Sequence, residues 1–314
     1  MNTQPLGTSS LITTRLAYGT MRVSGTWDPA AFTPDHEASG RRALLAAYEA
    51  GYILFDHADI YGRGLCESIH GRVMRDVPEM RSRILIATKC GIRFAGDPTG
   101  DAPHRYDFSA KHILWSCEQS LKRLQTDAID LYQLHRPDVL MNPPEIAQAF
   151  AQLKRQGKVR EFGVSNFRPS FLSALQKHCP MPLIVNQIEI HLARLDPFDD
   201  GTLDQCLEQS ITPLAWSPLG GGFLGAGGKV DKKHPRRDEL LALQTTLDEV
   251  ATKYDVSRTV IALAWLLKHP SRIIPIIGST NPDHLRDATK ADKIELSRQD
   301  WYRVLLAARG KALP

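Results

Sequence analysis

Residues 53–62 have the sequence ILFDHADIYG, a short apolar run that ends in Asp56 and is followed five residues later by Tyr61. Short apolar runs rich in β-branched residues recur along the whole chain, and longer amphipathic stretches separate them. The runs cover residues 15–21, 53–56, 84–89, 128–134, 159–164, 183–187, 211–216 and 273–278. This alternation predicts parallel strands that are buried on both faces and joined by helices.

The amphipathic stretches are predicted to be helices, and they cover residues 37–50, 67–77, 109–124, 144–156, 169–178, 203–209, 239–254 with 259–268, and 284–291. Pro34 follows Thr33 where a proline suits the first helical turn, and Ser109 is a candidate N-cap. Gly51 and Gly157 stand just past two predicted helix ends, where a left-handed residue is favoured. Eight β–α units in 314 residues fit a closed (β/α)8 barrel, with an open doubly wound sheet as the alternative.

We expect a single α/β domain over residues 1–314, because no linker and no change of composition divides the chain. This TIM barrel would carry a short N-terminal hairpin within residues 9–14, closing its bottom, and an extra C-terminal helix around residues 299–309. Two polar segments rich in glycine and proline, residues 92–107 and 220–237, are long enough to shape a substrate or cofactor site.

The charges of the chain are nearly balanced, with 39 Lys and Arg against 35 Asp and Glu and a net charge of +4. So small an excess gives no electrostatic footprint for nucleic acid and favours a small-molecule partner. Five cysteines without a CxxC spacing indicate reduced thiols rather than metal ligands. The chain shows no signal-peptide pattern and no run near the ~20 apolar residues of a membrane span. We expect a cytoplasmic monomer or weak oligomer that binds no metal, membrane or nucleic acid.

Ionisable side chains follow three successive predicted strands. They are Asp56 and Tyr61 after the second run, Lys89 at the end of the third and His135 after the fourth. One such residue alone is usually a helix cap or a satisfied core group, but the carboxyl ends of barrel strands meet at one face, so these four can converge. An ammonium beside a tyrosine favours the phenolate and would lower its pKa, and an aspartate would orient that ammonium. A proton donor with a histidine hydrogen-bond donor is what carbonyl reduction requires.

A second group of side chains follows the later strands. It comprises Ser165 and Asn166 after the fifth run, Gln187 at the end of the sixth, Trp216 at the end of the seventh, and Gly278 and Ser279 at the eighth. Amide side chains can bind a carboxamide, a flat indole can stack on a pyridine ring, and a helix start suits phosphate. Gly220, Gly222 and Gly225 match GxGxxG, but GGKVDKKHP follows instead of an apolar helix, which indicates a flexible loop.

Seven motifs in order, FDHADIYG, TKCG, LYQLHRP, GVSNF, NQIE, AWSPL and IIGS, resemble those of the aldo-keto reductase family, and the resemblance spans nearly the whole chain. It is greatest to a bacterial branch of NADP(H)-dependent oxidoreductases. The resemblance implies a barrel that binds NAD(P)H without a Rossmann fold, and a catalytic tetrad of Asp56, Tyr61, Lys89 and His135. Tyr61 would protonate the carbonyl oxygen of an aldehyde or ketone.

The resemblance also implies a set of cofactor-binding residues. They are Gly19, Thr20, Met21, Asp56, Ser165, Asn166, Gln187, Trp216, Ser217, Pro218, Leu219, Gly220, Gly278, Ser279, His284 and Arg286. The family often has an arginine for the adenosine 2′-phosphate at the position of His284, and an imidazole lacks the planar fork of a guanidinium. NADPH is the expected cofactor and NADH the alternative. The alternatives to a reductase are a non-catalytic nucleotide-binding sensor or subunit and a different barrel enzyme, such as a phosphate-sugar isomerase.

Overall fold

The computed structural model describes residues 1–313, and its centre is a closed barrel of eight parallel strands. The strands pair around the ring in the order of the sequence, and the last strand pairs with the first. These strands are β3 (Ala17–Gly19), β4 (Leu54–Asp56), β5 (Leu85–Cys90), β8 (Ile129–Leu134), β9 (Val159–Ser165), β10 (Leu183–Glu189), β11 (Thr212–Trp216) and β12 (Ile274–Ile277). Each coincides with one of the eight predicted runs, so the predicted (β/α)8 barrel is confirmed and the open sheet is wrong.

Helices surround the barrel, and each predicted helix is present within a few residues of its expected bounds. They are α1 (Pro34–Glu49), α2 (Leu65–Asp76), α3 (Glu79–Arg83), α4 (Ala110–Leu124), α5 (Pro143–Arg155), α6 (Pro169–Gln176), α7 (Asp196–Asp199), α8 (Thr202–Glu208), α9 (Arg237–Lys253), α10 (Arg258–Leu267), α11 (Pro282–Thr289) and α12 (Arg298–Arg309). Thr33 and Ser109 cap α1 and α4 with their side chains, and Gly51 and Gly157 have the positive φ expected past a helix end. The short helices α3 and α7 were not predicted, and α12 is the predicted extra helix.

The N-terminal hairpin is longer than the sequence predicted. Strand β1 (Thr3–Pro5) pairs antiparallel with β2 (Ile12–Thr14), so the hairpin begins at residue 3 and residues 9–14 form only its second half. Leu6 and Leu11 in the connecting turn are buried against barrel residues such as Leu54. The turn therefore closes the bottom of the barrel with apolar side chains, as expected, and leaves the opposite face open.

The two long segments differ in structure. Residues 92–107 contain a small hairpin of β6 (Ile92–Arg93) and β7 (Arg105–Tyr106), whereas residues 223–236 contain neither strand nor helix. Within residues 1–313, no helix combines the length and apolar character needed to cross a membrane. The same residues contain no group of three or more His, Cys, Asp or Glu side chains arranged to hold a metal ion.

Candidate active site

The four predicted catalytic residues meet at the carboxyl ends of three adjacent strands. The register aligns Asp56 of β4 with Ala87 of β5, two residues before Lys89, and aligns Lys89 with Gln133 of β8, two residues before His135. Tyr61 lies in the turn between β4 and α2, and its ring centroid is 5.9 Å from that of His135. The barrel thus brings together residues that span 80 positions of sequence.

Lys89 is fully buried and uses each of its three ammonium hydrogens. Its Nζ donates to Asp56 Oδ2 at 2.8 Å, to the main-chain carbonyl of His57 at 2.7 Å and to the hydroxyl oxygen of Tyr61 at 3.2 Å. The second carboxylate oxygen of Asp56 accepts from Gln187 Nε2 at 2.8 Å. The buried charge is therefore paired and hydrogen-bonded on all sides, as a buried ammonium requires.

A tight turn fixes the position of Tyr61. The next three residues, Gly62, Arg63 and Gly64, have φ values of 55°, 52° and 92°, and this left-handed run reverses the chain before α2. Gly62 is required here because a Cβ at this position would lie 2.5 Å from Ser24 Oγ. The turn directs the Tyr61 hydroxyl back toward Lys89.

Burial sets the pKa values of the site more strongly than the sequence suggested. Burial raises the pKa of Tyr61 above its ordinary value; Lys89 opposes this shift and Asp56 adds to it. The expected net lowering of the Tyr61 pKa is therefore wrong, although Lys89 acts in the expected direction. Burial lowers the pKa of Lys89, but Asp56 and Tyr61 outweigh it and the net shift is upward. The ammonium form is thus retained in the barrel.

His135 is neutral in this setting. Burial lowers its pKa well below the ordinary value, and the positive charges of Lys89 and Arg136 lower it further. Its Nδ1 atom is buried without a hydrogen-bond partner. A bare nitrogen is the less costly occupant of such a position, so we assign the hydrogen to Nε2. A neutral imidazole with Nε2–H can donate a hydrogen bond to a carbonyl oxygen.

The residues predicted to bind a carboxamide form one hydrogen-bonded group beside the tetrad. Trp216 Nε1 donates to Asn166 Oδ1 at 2.9 Å, and Asn166 Nδ2 donates to Ser165 Oγ at 2.8 Å. Ser165 Oγ donates in turn to the Gln187 carbonyl at 2.9 Å, and the Gln187 side chain reaches Asp56. Asn166 has a positive φ of 62°, which turns its amide toward Trp216. This chain of bonds fixes the partly exposed indole relative to the tetrad.

The other predicted cofactor residues lie around the same end of the barrel. Gly19, Thr20 and Met21 end or follow β3, Ser217, Pro218, Leu219 and Gly220 follow β11, and Gly278 and Ser279 follow β12. A Cβ placed on Gly278 would meet only Gly19 O, at 4.0 Å, so the space directly beside this strand end is open. The turn at residues 220–222 consists of three glycines, all with positive φ. The buried Thr20 hydroxyl is already bonded to the Asp56 carbonyl and His57, whereas Met21 is exposed.

His284 and Arg286 both lie on the exposed side of α11. His284 Nδ1 is 3.3 Å from Ser279 Oγ, which places the imidazole against the turn that follows β12. Arg286 instead pairs with Asp283 at 2.5 Å on the same helix. His284 thus contacts the predicted phosphate turn, whereas the ion pair of Arg286 lies within its own helix.

Sequence reasoning missed three contributions to the site. The main-chain carbonyl of His57 accepts a hydrogen bond from Lys89. The buried His57 ring stacks against His70, with its Nε2 2.7 Å from His70 Nδ1. Trp27, far from any strand end, lies edge-on to Tyr61 with ring centroids 6.3 Å apart. Arg136 lies over the Trp216 ring. Only Arg136 carried a sequence signal, because it directly follows His135.

Comparisons with known proteins show the family to which the chain belongs. The model of the Aldo/keto reductase family matches residues 15–305. The chain is 39% identical over 315 residues to 6-dehydroglucose reductase from Novosphingobium aromaticivorans, covering 98% of this chain and 96% of that protein. It is 40% identical over 266 residues to oxidoreductase YdhF of Escherichia coli, covering 85% of this chain and 86% of the relative. The solved structure of the thermostable aldo-keto reductase Tm1743 has a TM-score of 0.82 at 27% identity, over 98% of this chain and 100% of that one. This chain therefore belongs to the aldo/keto reductase family, a family of oxidoreductases that reduce carbonyl groups.

Proposed function

We propose that this protein reduces an aldehyde or ketone to an alcohol with NADPH, and that Tyr61 is the proton donor. The observation that carries the proposal is the contact of Lys89 Nζ with the Tyr61 hydroxyl oxygen at 3.2 Å, while the same buried ammonium pairs with Asp56. In the balanced reaction, a hydride adds to the carbonyl carbon and the C=O π electrons move to oxygen. The oxygen takes a proton from Tyr61, which regains it from solvent. NADPH, when bound, supplies the hydride and leaves as NADP⁺.

The hydrogen bonds of Tyr61 support its role as an acid. Its oxygen accepts a hydrogen from Lys89, so the phenolic hydrogen is free to point toward a substrate oxygen. After the proton leaves, the same ammonium stabilises the phenolate. Burial raises the pKa of Tyr61, which keeps the hydroxyl protonated in the absence of substrate. Lys89 thus stabilises chiefly the phenolate that forms as the proton leaves, and this stabilisation lowers the barrier of the reaction.

His135 supports the same reaction from another side of the site. Its lowered pKa keeps it neutral, so Nε2–H can polarise the carbonyl without competing with Tyr61 as an acid. The burial of Asp56, Lys89 and His135 also excludes water, and this strengthens each of these interactions.

The residues around the strand ends fit a nicotinamide dinucleotide. Asn166, Ser165 and Gln187 would hold the carboxamide and Trp216 would stack on the ring. The turn from Ser217 to Gly220, with Gly278 and Ser279, would hold the pyrophosphate. His284 would lie nearest to the 2′-phosphate, because Ser279 holds it at the turn.

The test is a panel of carbonyl compounds assayed by the loss of reduced-nicotinamide absorbance, run with NADPH and with NADH. The panel includes a sugar-derived aldehyde, because one relative is named 6-dehydroglucose reductase. We expect turnover with NADPH and an alcohol product in equal amount to NADP⁺. Cofactor binding without turnover of any carbonyl would favour the non-catalytic alternative. Failure to bind either nicotinamide cofactor would favour a different barrel enzyme.

A further inference from the structure

Arg136 is a positive charge at the mouth of the site that lacks a partner. It directly follows His135, and its side chain is half-buried. Its guanidinium carbon lies 5.3 Å from the centroid of the Trp216 ring. Within residues 1–313, its guanidinium forms neither a hydrogen bond nor an ion pair. The Arg136 guanidinium, a planar group with five N–H donors, therefore lies near the reacting groups and contacts only an aromatic ring.

Two acidic residues that are close to Arg136 in sequence or in strand register are bound elsewhere. Glu189 is aligned with Trp216 on the neighbouring strand, but its carboxylate faces His191 and Arg194 at 3.5 and 3.6 Å. Asp138, two residues after Arg136, accepts hydrogen bonds from the main-chain N–H groups of Phe108 and Leu140. Neither acid is available to neutralise the guanidinium.

We propose that Arg136 binds a carboxylate on the substrate, so that the preferred substrate is an aldehyde with a carboxylate at its other end. This inference rests on the proposed reductase function. A guanidinium matches a carboxylate with two parallel hydrogen bonds, and such a pair is stronger in a half-buried position than in open solvent.

The rest of the pocket suits such a molecule. Trp27 is 48% exposed and lies edge-on to Tyr61. This indole offers apolar surface for the carbon skeleton between the aldehyde and the carboxylate. The influence of Arg136 on His135 shows that its charge acts within the site, because it contributes to the lowered pKa of that histidine.

The test compares two substrates that differ in charge but little in shape: 4-carboxybenzaldehyde and 4-formylbenzamide. Neither cyclises, so the aldehyde concentration is known. We expect the wild type to prefer the carboxylate in kcat/KM. Arg136→Gln should lower kcat/KM for the carboxylate about tenfold to a hundredfold more than for the amide, mainly through KM. Arg136→Lys should recover part of the loss, because it keeps the charge without the fork.

Arg298→Gln is the matched control. Arg298 also lies over an aromatic ring, 5.4 Å from the centroid of Tyr302, but it begins α12 beside the carboxyl end of α9, far from the catalytic strand ends. This variant should leave both substrates unaffected. If Arg136 only holds the Trp216 ring in place, Arg136→Gln will lower kcat/KM equally for both substrates and weaken NADPH binding. That result would overturn the proposal.

A binding experiment separates this proposal from the proposed function. Calorimetry with NADP⁺ present compares 4-(hydroxymethyl)benzoate with 4-(hydroxymethyl)benzamide, and this requires no turnover. Tighter binding of the benzoate that is lost in Arg136→Gln supports the carboxylate site even if no aldehyde is reduced. Equal binding of the two compounds, or benzoate binding that Arg136→Gln does not change, would refute it even if aldehydes are reduced.

Discussion

Replacing His284 with arginine should tighten NADPH binding and leave NADH binding unchanged. His284 is exposed, and its Nδ1 lies 3.3 Å from Ser279 Oγ at the turn proposed to hold phosphate. The 2′-phosphate carries nearly two negative charges near neutral pH, and a guanidinium can bind it with two parallel hydrogen bonds. The imidazole of His284 offers no such fork.

The magnitude follows from the exposure of the position. A hydrogen bond to a charged group contributes about 1.5–3 kcal/mol, and ordering a long exposed arginine side chain offsets part of that gain. We therefore expect about 1–2 kcal/mol for His284→Arg, a decrease of about five- to thirtyfold in the Kd of NADPH. Arg286 is the competing candidate, but it pairs with Asp283 at 2.5 Å and its side chain is 61% exposed.

The assay is the quenching of tryptophan fluorescence by each cofactor, titrated against wild type, His284→Arg and Arg286→Ala. We expect His284→Arg to change the Kd of NADPH alone and Arg286→Ala to change neither Kd appreciably. Equal tightening of NADH and NADPH in His284→Arg would refute the placement of residue 284 at the 2′ position. A selective loss of NADPH affinity in Arg286→Ala would assign the contact to that residue.

Two further predictions concern protonation. Lys89 lowers the pKa of Tyr61 and Asp56 raises it. Lys89→Met should therefore move the alkaline limb of the pH profile of kcat/KM to higher pH, and Asp56→Asn should move it to lower pH. Shifts of both variants in the same direction would count against this pairing of Lys89 and Asp56 with Tyr61. Burial raises the pKa of Asp59 from 3.8 to about 7, so the folded state retains a proton that the unfolded chain loses, and stability falls as pH rises from about 4 to 7. Asp59→Asn should remove this loss, raising Tm relative to wild type at pH 8 more than at pH 5; an equal difference at both pH values would contradict it.

The barrel and the meeting of the tetrad follow from regularities that the sequence shows directly. Apolar runs ending in Asp56 and Lys89 mark strand ends, and parallel strands in a barrel present these ends at one face. The hairpin strand Thr3–Pro5 was missed because three residues ending in proline carry no strand pattern. The helix Glu79–Arg83 is too short to show a helical period.

The electrostatics of the site depend on quantities that the sequence does not contain. The pKa of Tyr61 is set by competition between burial and Lys89, and burial prevails because the folded chain packs around the hydroxyl. The contact of Arg136 with Trp216 joins residues 80 positions apart. Residue types and spacing identify such groups as candidates, but their contacts and burial decide which chemistry they support.

The most direct test of the account is the turnover of a good aldehyde by Tyr61→Phe with saturating NADPH. This variant removes only the hydroxyl that Lys89 contacts at 3.2 Å, and the ring beside His135 and Trp27 remains. The account predicts that kcat falls about 10²- to 10⁴-fold, the usual contribution of general acid catalysis, while the Kd of NADPH and the Tm stay close to wild type. A kcat near the wild-type value, with the cofactor bound normally, would show that Tyr61 is not the proton donor.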